Sequence, residues 1–176
     1  MKKIKLSAID IEKAATKLVK KLRKIKLKKK KTLVLGIGRG GLIPAQYIAY
    51  GLGVRDVVVV QSKLYEGENK DESKMEVSGA LLLDYNSYDT IIIVDDLVDT
   101  GTTINVIWEI LDQMAAEMRD SSKEEIRLIP AVLYSQKSKK EMKDEGIVVG
   151  EYIKKKDGKS LWLDFPWNLF IKGADA

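Results

Sequence analysis

The sequence predicts a single α/β domain, residues 1–176, in which a mostly parallel sheet is flanked by helices. Apolar runs of strand length recur along the 176 residues, and segments with helical periodicity separate them. This alternation is typical of a parallel sheet with helices on both faces. The predicted strands lie at 32–37, 57–60, 90–94, 126–134 and 147–153.

The first helix is predicted to begin after Ser7, because Ser7 and Asp10 have the spacing of a reciprocal capping pair. Apolar residues then recur at helical spacing as far as Ile25. Residues 1–31 hold thirteen Lys and one Arg against two carboxylates, whereas the whole chain has a net charge of only +5. We expect a basic helix and loop whose lysines face water, rather than a surface that binds nucleic acid.

The composition excludes several kinds of site. The chain has no Cys and no His, so it offers no thiolate nucleophile, zinc ribbon or His-dependent triad. Acid–base chemistry must come from Asp, Glu, Lys or Tyr, and an oxygen-bound cation such as Mg²⁺ suits the remaining ligands. No apolar stretch approaches the length of a membrane span or has the setting of a signal-peptide core, so we expect a cytoplasmic protein.

The turn after the first of these strands is rich in glycine. Residues 36–41 read G-x-G-x-x-G and precede a helix predicted from Leu42 to about Gly51. A dinucleotide site would also need an acidic residue near the end of the next strand, where Gln61 stands instead. The turn offers unobstructed backbone N–H groups beside Arg39, which suits a diphosphate.

Strand character is predicted to stop between residues 62 and 79. This stretch is rich in charged residues and has only scattered apolar ones. A long segment without regular structure inside a compact domain is usually functional or mobile. We expect a flexible lid loop that closes over the reacting groups.

The second turn carries more specific chemistry. The most hydrophobic strand, 90–94, leads into Asp95 and Asp96, at the strand end where open α/β sheets bind ligands. Adjacent carboxylates are costly to bury without partners, so they require hydroxyl donors or a cation. Three threonines and a glycine at 100–103 then open a helix and suit one phosphate monoester. A Walker-type loop is excluded, because no Lys follows at the required spacing.

These residues resemble the motifs of a known family. Residues 91–103 (IIIVDDLVDTGTT) are similar to the signature with which type I phosphoribosyltransferases bind 5-phosphoribosyl 1-diphosphate (PRPP). Residues 38–41 (GRGG) resemble the pyrophosphate loop of that family. Residues 162–167 (WLDFPW) resemble part of the small base-binding hood of its xanthine-guanine and hypoxanthine-guanine members, which implies a hood at about 136–170.

The resemblance implies transfer of the phosphoribosyl group of PRPP to a 6-oxopurine, with pyrophosphate as the leaving group. It assigns the ribose hydroxyls to Asp95 and Asp96, directly or through Mg²⁺. It places Asp99 near N7 of the purine as a proton acceptor, although Asp99 can also cap the following helix. It also implies a cis peptide bond before Arg39. The implied PRPP contacts are Gly38, Arg39, Gly40 and Gly41 for pyrophosphate, and Thr100, Gly101, Thr102 and Thr103 for the 5′-phosphate.

Base binding is implied for the hood. Trp162 matches the family's stacking aromatic, and the backbone of Leu163 matches the part that reads the base edge, although Trp162 and Trp167 can also close the hood core. The family places a lysine before the hood to donate to the purine 6-oxo group. A direct alignment puts Gln136 at that position, and Lys137 reaches it only with a one-residue insertion. Because an ammonium is the stronger donor, we predict Lys137.

Other functions stay open at this point. A regulatory, nucleotide-sensing member of the same fold that binds nucleic acid would use the lysine-rich start, but the chain beyond residue 31 is net negative. An enzyme acting on orotate or another pyrimidine would need a different hood. The resemblance also implies a homo-oligomer, dimer or tetramer, and it does not select among guanine, xanthine and hypoxanthine.

Overall fold

A mostly parallel sheet forms the centre of the protein, as predicted. The structure is a computed structural model that describes residues 3–65, 74–78, 83–155 and 158–168. Those residues contain the strands β1 (Lys3–Lys5), β2 (Thr32–Gly38), β3 (Asp56–Tyr65), β4 (Lys74–Ser78), β5 (Thr90–Val98), β6 (Arg127–Ser135), β7 (Val148–Tyr152) and β8 (Trp162–Asp164). The main sheet has the order β4-β3-β2-β5-β6-β7, and only β4 runs antiparallel to its neighbour.

Helices cover both faces of this sheet. They are α1 (Ala8–Leu22), α2 (Leu42–Leu52), α3 (Thr102–Met118) and the short α4 (Lys139–Asp144). Val34 of β2 packs in one apolar layer with Ile48 of α2, whereas its neighbour Leu33 packs in the other layer with Ile107 of α3. All four side chains are fully buried, and each such burial contributes about 1.5–3 kcal/mol. No helix in the described part of the chain has both the length and the apolar character that a membrane span requires.

Helix α1 begins at the predicted capping box. The N–H of Asp10 donates to the hydroxyl of Ser7 (3.3 Å), and the N–H of Ser7 donates to the carboxylate of Asp10 (2.9 Å). The ammonium of Lys21 donates to the carbonyl of Val149 in β7 (2.5 Å). The basic helix α1 is therefore anchored to the sheet through Lys21, while its lysines remain exposed to solvent. The buried stripe of α1 comprises Ile11, Ala14, Ala15, Leu18, Val19 and Leu22.

The prediction that strand character stops at residue 62 is wrong. Strand β3 continues to Tyr65 and pairs with β4, with Leu64 opposite Met75 in the ladder. Apolar and polar residues alternate along β4, and the many charged residues of the stretch conceal that alternation. The rest of the predicted lid, 66–73 and 79, lies outside the described residues.

The hood uses residues from both ends of the described chain. Strand β1 runs parallel to β8 in a separate two-stranded sheet, with Ile4 opposite Leu163. The N–H of Leu6 then donates to the carbonyl of Asp164 (2.9 Å). Sequence analysis does not predict β1, because three residues are too few to show a period.

The crevice between β2 and β5 is where the site forms. Strand β2 pairs with β3 on one side and β5 on the other, so the strand order reverses at this point. Pairing between β2 and β5 ends at Gly36 and Val94, whereas β5 continues beside β6 as far as Val98. The edge of β5 that faces β2 is therefore free of sheet pairing from Asp95 onward.

Candidate active site

The glycine turn packs closely onto β5. The peptide bond before Arg39 is cis, as the sequence resemblance implies. A Cβ atom on Gly41 would lie 2.2 Å from the carbonyl oxygen of Val94, and one on Gly40 would lie 2.5 Å from a carboxylate oxygen of Asp96. These distances are far shorter than van der Waals contact, so only glycine allows the approach. The turn thereby sets Gly40 beside the acidic pair, whereas the N–H of Gly41 donates to the carbonyl of Ile37 (2.7 Å).

Asp95 and Asp96 lie on β5 itself, at the point where β2 leaves it. The N–H of Asp96 donates to a carboxylate oxygen of Asp95 (2.9 Å), and the indole N–H of Trp167 donates to the carboxylate of Asp96. Burial, followed by the neighbouring charge of Asp96, raises the pKa of Asp95 well above its ordinary value. Burial also raises the pKa of Asp96, to about 6, although the hydrogen bond from Trp167 opposes this. The crevice therefore holds two poorly solvated carboxylates side by side.

The acidic pair fits a hard divalent cation. Among the described residues neither carboxylate forms an ion pair, and no cluster of three or more acidic, His or Cys side chains could hold a metal. Mg²⁺ usually binds one or two carboxylates and completes its shell with water and substrate phosphate oxygens. A cation beside the pair would also favour the charged form of both groups, which burial disfavours.

The turn from β5 into α3 forms a phosphate-sized pocket of about 180 Å³. Gly101 has a φ of 92°, in the left-handed region that glycine adopts without strain. The hydroxyls of Thr100 and Thr102 lie 3.1 Å apart, and Thr103 lines both this pocket and the larger cavity described below. The N-cap Gly101 has no side chain to cap α3, a helix of 17 residues, and the N–H of Thr102 makes only a long contact with the hydroxyl of Thr100 (3.4 Å). The N–H groups of the first turn can therefore donate to an anion.

Asp99 is held by the hood. Its Oδ1 accepts a hydrogen bond from the hydroxyl of Ser160 (2.8 Å) and lies 3.1 Å from the ammonium of Lys155. Burial raises the pKa of Asp99, but the contacts with Ser160 and Lys155 outweigh it, so the pKa lies below the ordinary value. The alternative role as a helix cap is wrong, because the N-cap of α3 is Gly101.

On the opposite side of the crevice the hood presents Trp162 and Leu163. Its path is fixed by the buried side-chain amide of Gln136. The Nε2 of Gln136 donates to the carbonyl of Leu161 (2.9 Å), and the N–H of Leu161 donates to Oε1 of Gln136 (2.7 Å). This paired contact sets the backbone immediately before Trp162.

The prediction of Lys137 as the base donor needs correction. Of the two residues considered, Gln136 lines the cavity, whereas Lys137 is not among its described lining residues. The ammonium of Lys137 instead pairs with Glu145 (2.5 Å). Strand pairing explains the difference: β6 stays paired with β5 as far as Ser135, and Gln136 is the residue that follows this pairing beside the cavity.

One cavity of about 770 Å³ joins these groups. It runs from the glycine turn, past the acidic pair, to the hood. The predicted site residues on its lining are Gly38, Arg39, Gly40, Asp95, Asp96, Asp99, Thr103, Trp162 and Leu163. The other predicted phosphate residues, Thr100, Gly101 and Thr102, line the adjoining small pocket. Gly41 packs against the backbone of Val94 and Ile37.

Sequence reasoning missed the hood residues that contact the carboxylates. Ser160 lies 61 residues from Asp99 in the chain, and neither it nor Lys155 belongs to a recognisable motif. Trp167 has two roles: it stacks on Phe165 (ring centroids 4.8 Å apart, 13° between planes) and donates to Asp96. The predicted role of Trp167 in closing the hood core accounts for the first of these only.

Comparison with known proteins identifies relatives of this chain. Residues 2–167 match the family model described as the phosphoribosyl transferase domain. The chain is 29% identical to the xanthine-guanine phosphoribosyltransferase of Chromohalobacter salexigens over 138 residues, 78% of this chain and 69% of that protein. It is 28% identical to the enzyme of that name from Cereibacter sphaeroides over 140 residues, 79% of this chain and 70% of that one. The crystal structure of a purine phosphoribosyltransferase from Pyrococcus horikoshii Ot3 is similar with a TM-score of 0.66 and 26% identity, covering 99% of both chains.

Proposed function

This chain belongs to the phosphoribosyl transferase domain family, and we propose that it transfers the 5-phosphoribosyl group of PRPP to a 6-oxopurine, giving a nucleoside 5′-monophosphate and pyrophosphate. The supporting observation is the cavity in which a glycine turn, an acidic pair, a phosphate-sized pocket and an aromatic hood face one another. PRPP carries a diphosphate, two free ribose hydroxyls and a phosphate monoester, and the hood provides the aromatic surface for a flat base. The purine names of the relatives support this choice of base.

The glycine turn and the phosphate pocket bind the two anionic ends of PRPP. Arg39 and the N–H of Gly40 hold pyrophosphate, since a guanidinium and a backbone donor suit its oxygens. The N–H of Gly41, predicted as a further donor, is instead bonded to the carbonyl of Ile37 (2.7 Å). The hydroxyls and first-turn N–H groups at residues 100–103 hold the 5′-phosphate. Fixing both ends leaves the ribose little freedom, and such positioning can lower a barrier by about 7–11 kcal/mol.

The acidic pair serves the ribose. The carboxylates of Asp95 and Asp96 accept hydrogen bonds from the 2′ and 3′ hydroxyls. Their negative charge stabilises the positive charge that develops on the ribose ring as the bond from C1 to pyrophosphate breaks. Asp95 and Asp96 are also the residues that would hold Mg²⁺, which when bound would neutralise charge on the pyrophosphate.

Asp99 orients the attacking base. A purine ring nitrogen forms the new bond to C1 as the bond from C1 to pyrophosphate breaks. The N–H on the same imidazole ring donates a hydrogen bond to the Asp99 carboxylate, which takes up that proton once the new bond has formed. Because the contacts with Ser160 and Lys155 hold the pKa of Asp99 low, this carboxylate is charged at neutral pH and ready to accept that hydrogen bond.

The hood supplies the base pocket. Trp162 stacks on the purine plane, and the backbone at Leu163 reads the polar edge of the base. Gln136, not Lys137, is the side chain next to this pocket. One N–H of its amide bonds Leu161, and the second N–H offers a neutral donor in the place of an ammonium.

The proposal is tested by incubating the purified chain with PRPP, Mg²⁺ and one free base at a time. The panel comprises guanine, xanthine, hypoxanthine, adenine, uracil and orotate, with pyrophosphate release and nucleotide formation as readouts. We expect turnover with at least one 6-oxopurine and none with orotate or uracil, and Asp95→Asn as a control should remove most of it. Turnover of a pyrimidine would refute the proposal. Nucleotide and salt-sensitive nucleic-acid binding without turnover would favour the regulatory alternative.

The cytoplasmic location and the dimeric or tetrameric state stay predictions. Light scattering after gel filtration measures the second directly.

A further inference from the structure

The corrected position of Lys137 gives that residue a different neighbour. A Cβ atom on Gly101, in the phosphate pocket, would lie 3.3 Å from the ammonium of Lys137 and 3.5 Å from a carboxylate oxygen of Glu145. The side chain of Lys137 is only 18% exposed. The Lys137–Glu145 ion pair therefore lies against Gly101, which lines the phosphate pocket, although neither member of the pair lines the pocket itself.

The fold fixes Lys137 in this place. The N–H of Gln136 donates to the carbonyl of Val98 (3.0 Å), which extends the contact between β6 and β5 to the start of the phosphate turn. The N–H of Lys137 donates to the hydroxyl of Ser135 (3.1 Å). Glu145, at the C-terminus of α4, donates its own N–H back to Glu141 and Lys143 carbonyls. Lys137 thus leaves the sheet beside the turn that contains Gly101.

A cation beside the phosphate pocket would offset the negative charge of the carboxylates that line it. Two carboxylates, Asp95 and Asp99, line the pocket with the threonines, and its described lining includes no cation. A phosphate monoester with nearly two negative charges would meet those carboxylates across a few ångströms, which is unfavourable. Lys155, the cation at Asp99, is already engaged there. Lys137 is the ammonium placed against the turn.

We propose that Lys137 serves the 5′-phosphate of the substrate and not its base. Its ammonium, held beside Gly101, supplies the positive charge that the turn's own side chains lack, and Glu145 both positions this ammonium and competes with the phosphate for it. The proposal rests on the proposed function for the identity of the ligand. It predicts that loss of the Lys137 ammonium weakens phosphate binding and that loss of the Glu145 carboxylate does not.

The test measures binding by calorimetry, with ribose 5-phosphate, guanosine 5′-monophosphate and guanosine as probes. Lys137→Gln should weaken both phosphate-bearing probes about tenfold, since a hydrogen bond to a charged group contributes that much or more. Lys137→Arg should stay within a few-fold of wild type, and guanosine affinity should not change. Glu145→Gln should leave phosphate affinity unchanged or increase it. Lys140→Gln, an exposed lysine of α4, is the control for general charge.

Kinetics give a second readout: Lys137→Gln should raise KM for PRPP and leave KM for the base unchanged. If Lys137→Gln and Glu145→Gln weakened phosphate binding equally and left thermal unfolding unchanged, the ion pair would only stabilise the conformation of the turn. That result would overturn the proposal. Loss of guanosine affinity, or a raised KM for the base alone, would also overturn it. Ribose 5-phosphate separates this question from the proposed function, because its binding does not depend on turnover or on the base.

Discussion

Replacing Gly41 by alanine should disable the site although the change adds only a methyl group. The new Cβ would lie 2.2 Å from the carbonyl oxygen of Val94 and 2.6 and 2.8 Å from the backbone N and O of Ile37. All three are backbone atoms, so no side-chain rotation can relieve the contacts. The turn must move away from β5 by about 1 Å to restore an ordinary separation, and overpacking of this kind costs about 1–3 kcal/mol.

The displacement matters because the same turn places the donors for pyrophosphate. A misplacement of about 1 Å can lower an enzymatic rate about 100-fold, so we expect kcat/KM for PRPP to fall by that factor in Gly41→Ala. Urea unfolding should show a loss of about 1–3 kcal/mol in the free energy of unfolding. Both quantities are measured on the same purified protein.

Gly146→Ala is the matched control. Gly146 has a φ of 70°, and a Cβ there would meet nothing within 4 Å. Alanine should therefore cost about 1–2 kcal/mol of backbone strain with no change in kcat/KM. If Gly41→Ala kept wild-type kinetics, or if Gly146→Ala lost activity equally, the close approach to β5 would not be what organises the turn.

Three further predictions concern the carboxylates and the hood. Asp96→Asn should raise KM for PRPP at least tenfold, since losing a charged acceptor costs about 1.5–3 kcal/mol, while thermal unfolding shows no destabilisation because a poorly solvated charge is removed. The pKa of Asp96 is about 6 in the folded protein and 3.8 ordinarily, so protonation favours the folded state. The contribution of Asp96 to the free energy of unfolding, measured with urea, should therefore rise as the pH falls from 7 to 5, and this contribution should be absent in Asp96→Asn. The kcat/KM for PRPP should fall below pH 6. If the free energy of unfolding of Asp96→Asn had the same pH dependence as that of wild type, the raised pKa would not belong to Asp96. Trp162→Ala should raise KM for the base roughly tenfold, since stacking on one base contributes about 1–3 kcal/mol, and leave KM for PRPP unchanged. Trp108→Ala, on the exposed face of α3, should change neither KM.

Elements with a long apolar period were predictable from sequence, and short or charged ones were not. The periodic face of α1 and the continuous apolar run of β2 reveal their burial directly, because one face or both faces must be covered. Strands β1 and β4 each depend on a partner strand that is distant in sequence or hidden among charges. Their pairing is a property of the folded chain that no local window contains.

The candidate site also has a part that the sequence predicts and a part that it does not. Asp95, Asp96 and the turn that follows are contiguous, so the sequence holds their arrangement, and the sheet only adds the glycine turn opposite them. Lys137 was predicted from the strength of an ammonium as a donor, but the pairing of β6 with β5 decides which side chain reaches the cavity. Gln136 reaches it because it directly follows the paired part of β6, and the donor strength of a side chain cannot change the register of its strand.

The contacts that the hood makes with Asp99 also define what Asp99 can do. Ser160 and Lys155 both reach Oδ1, and no described residue bonds Oδ2. The hood therefore contacts the carboxylate through Oδ1, while the lone pairs of Oδ2 stay available to an N–H of the base. The same two contacts hold the pKa of Asp99 below its ordinary value, which makes the group a weak base. Asp99 is thus suited to orienting the purine by accepting a hydrogen bond, and poorly suited to removing a proton before the bond to C1 forms.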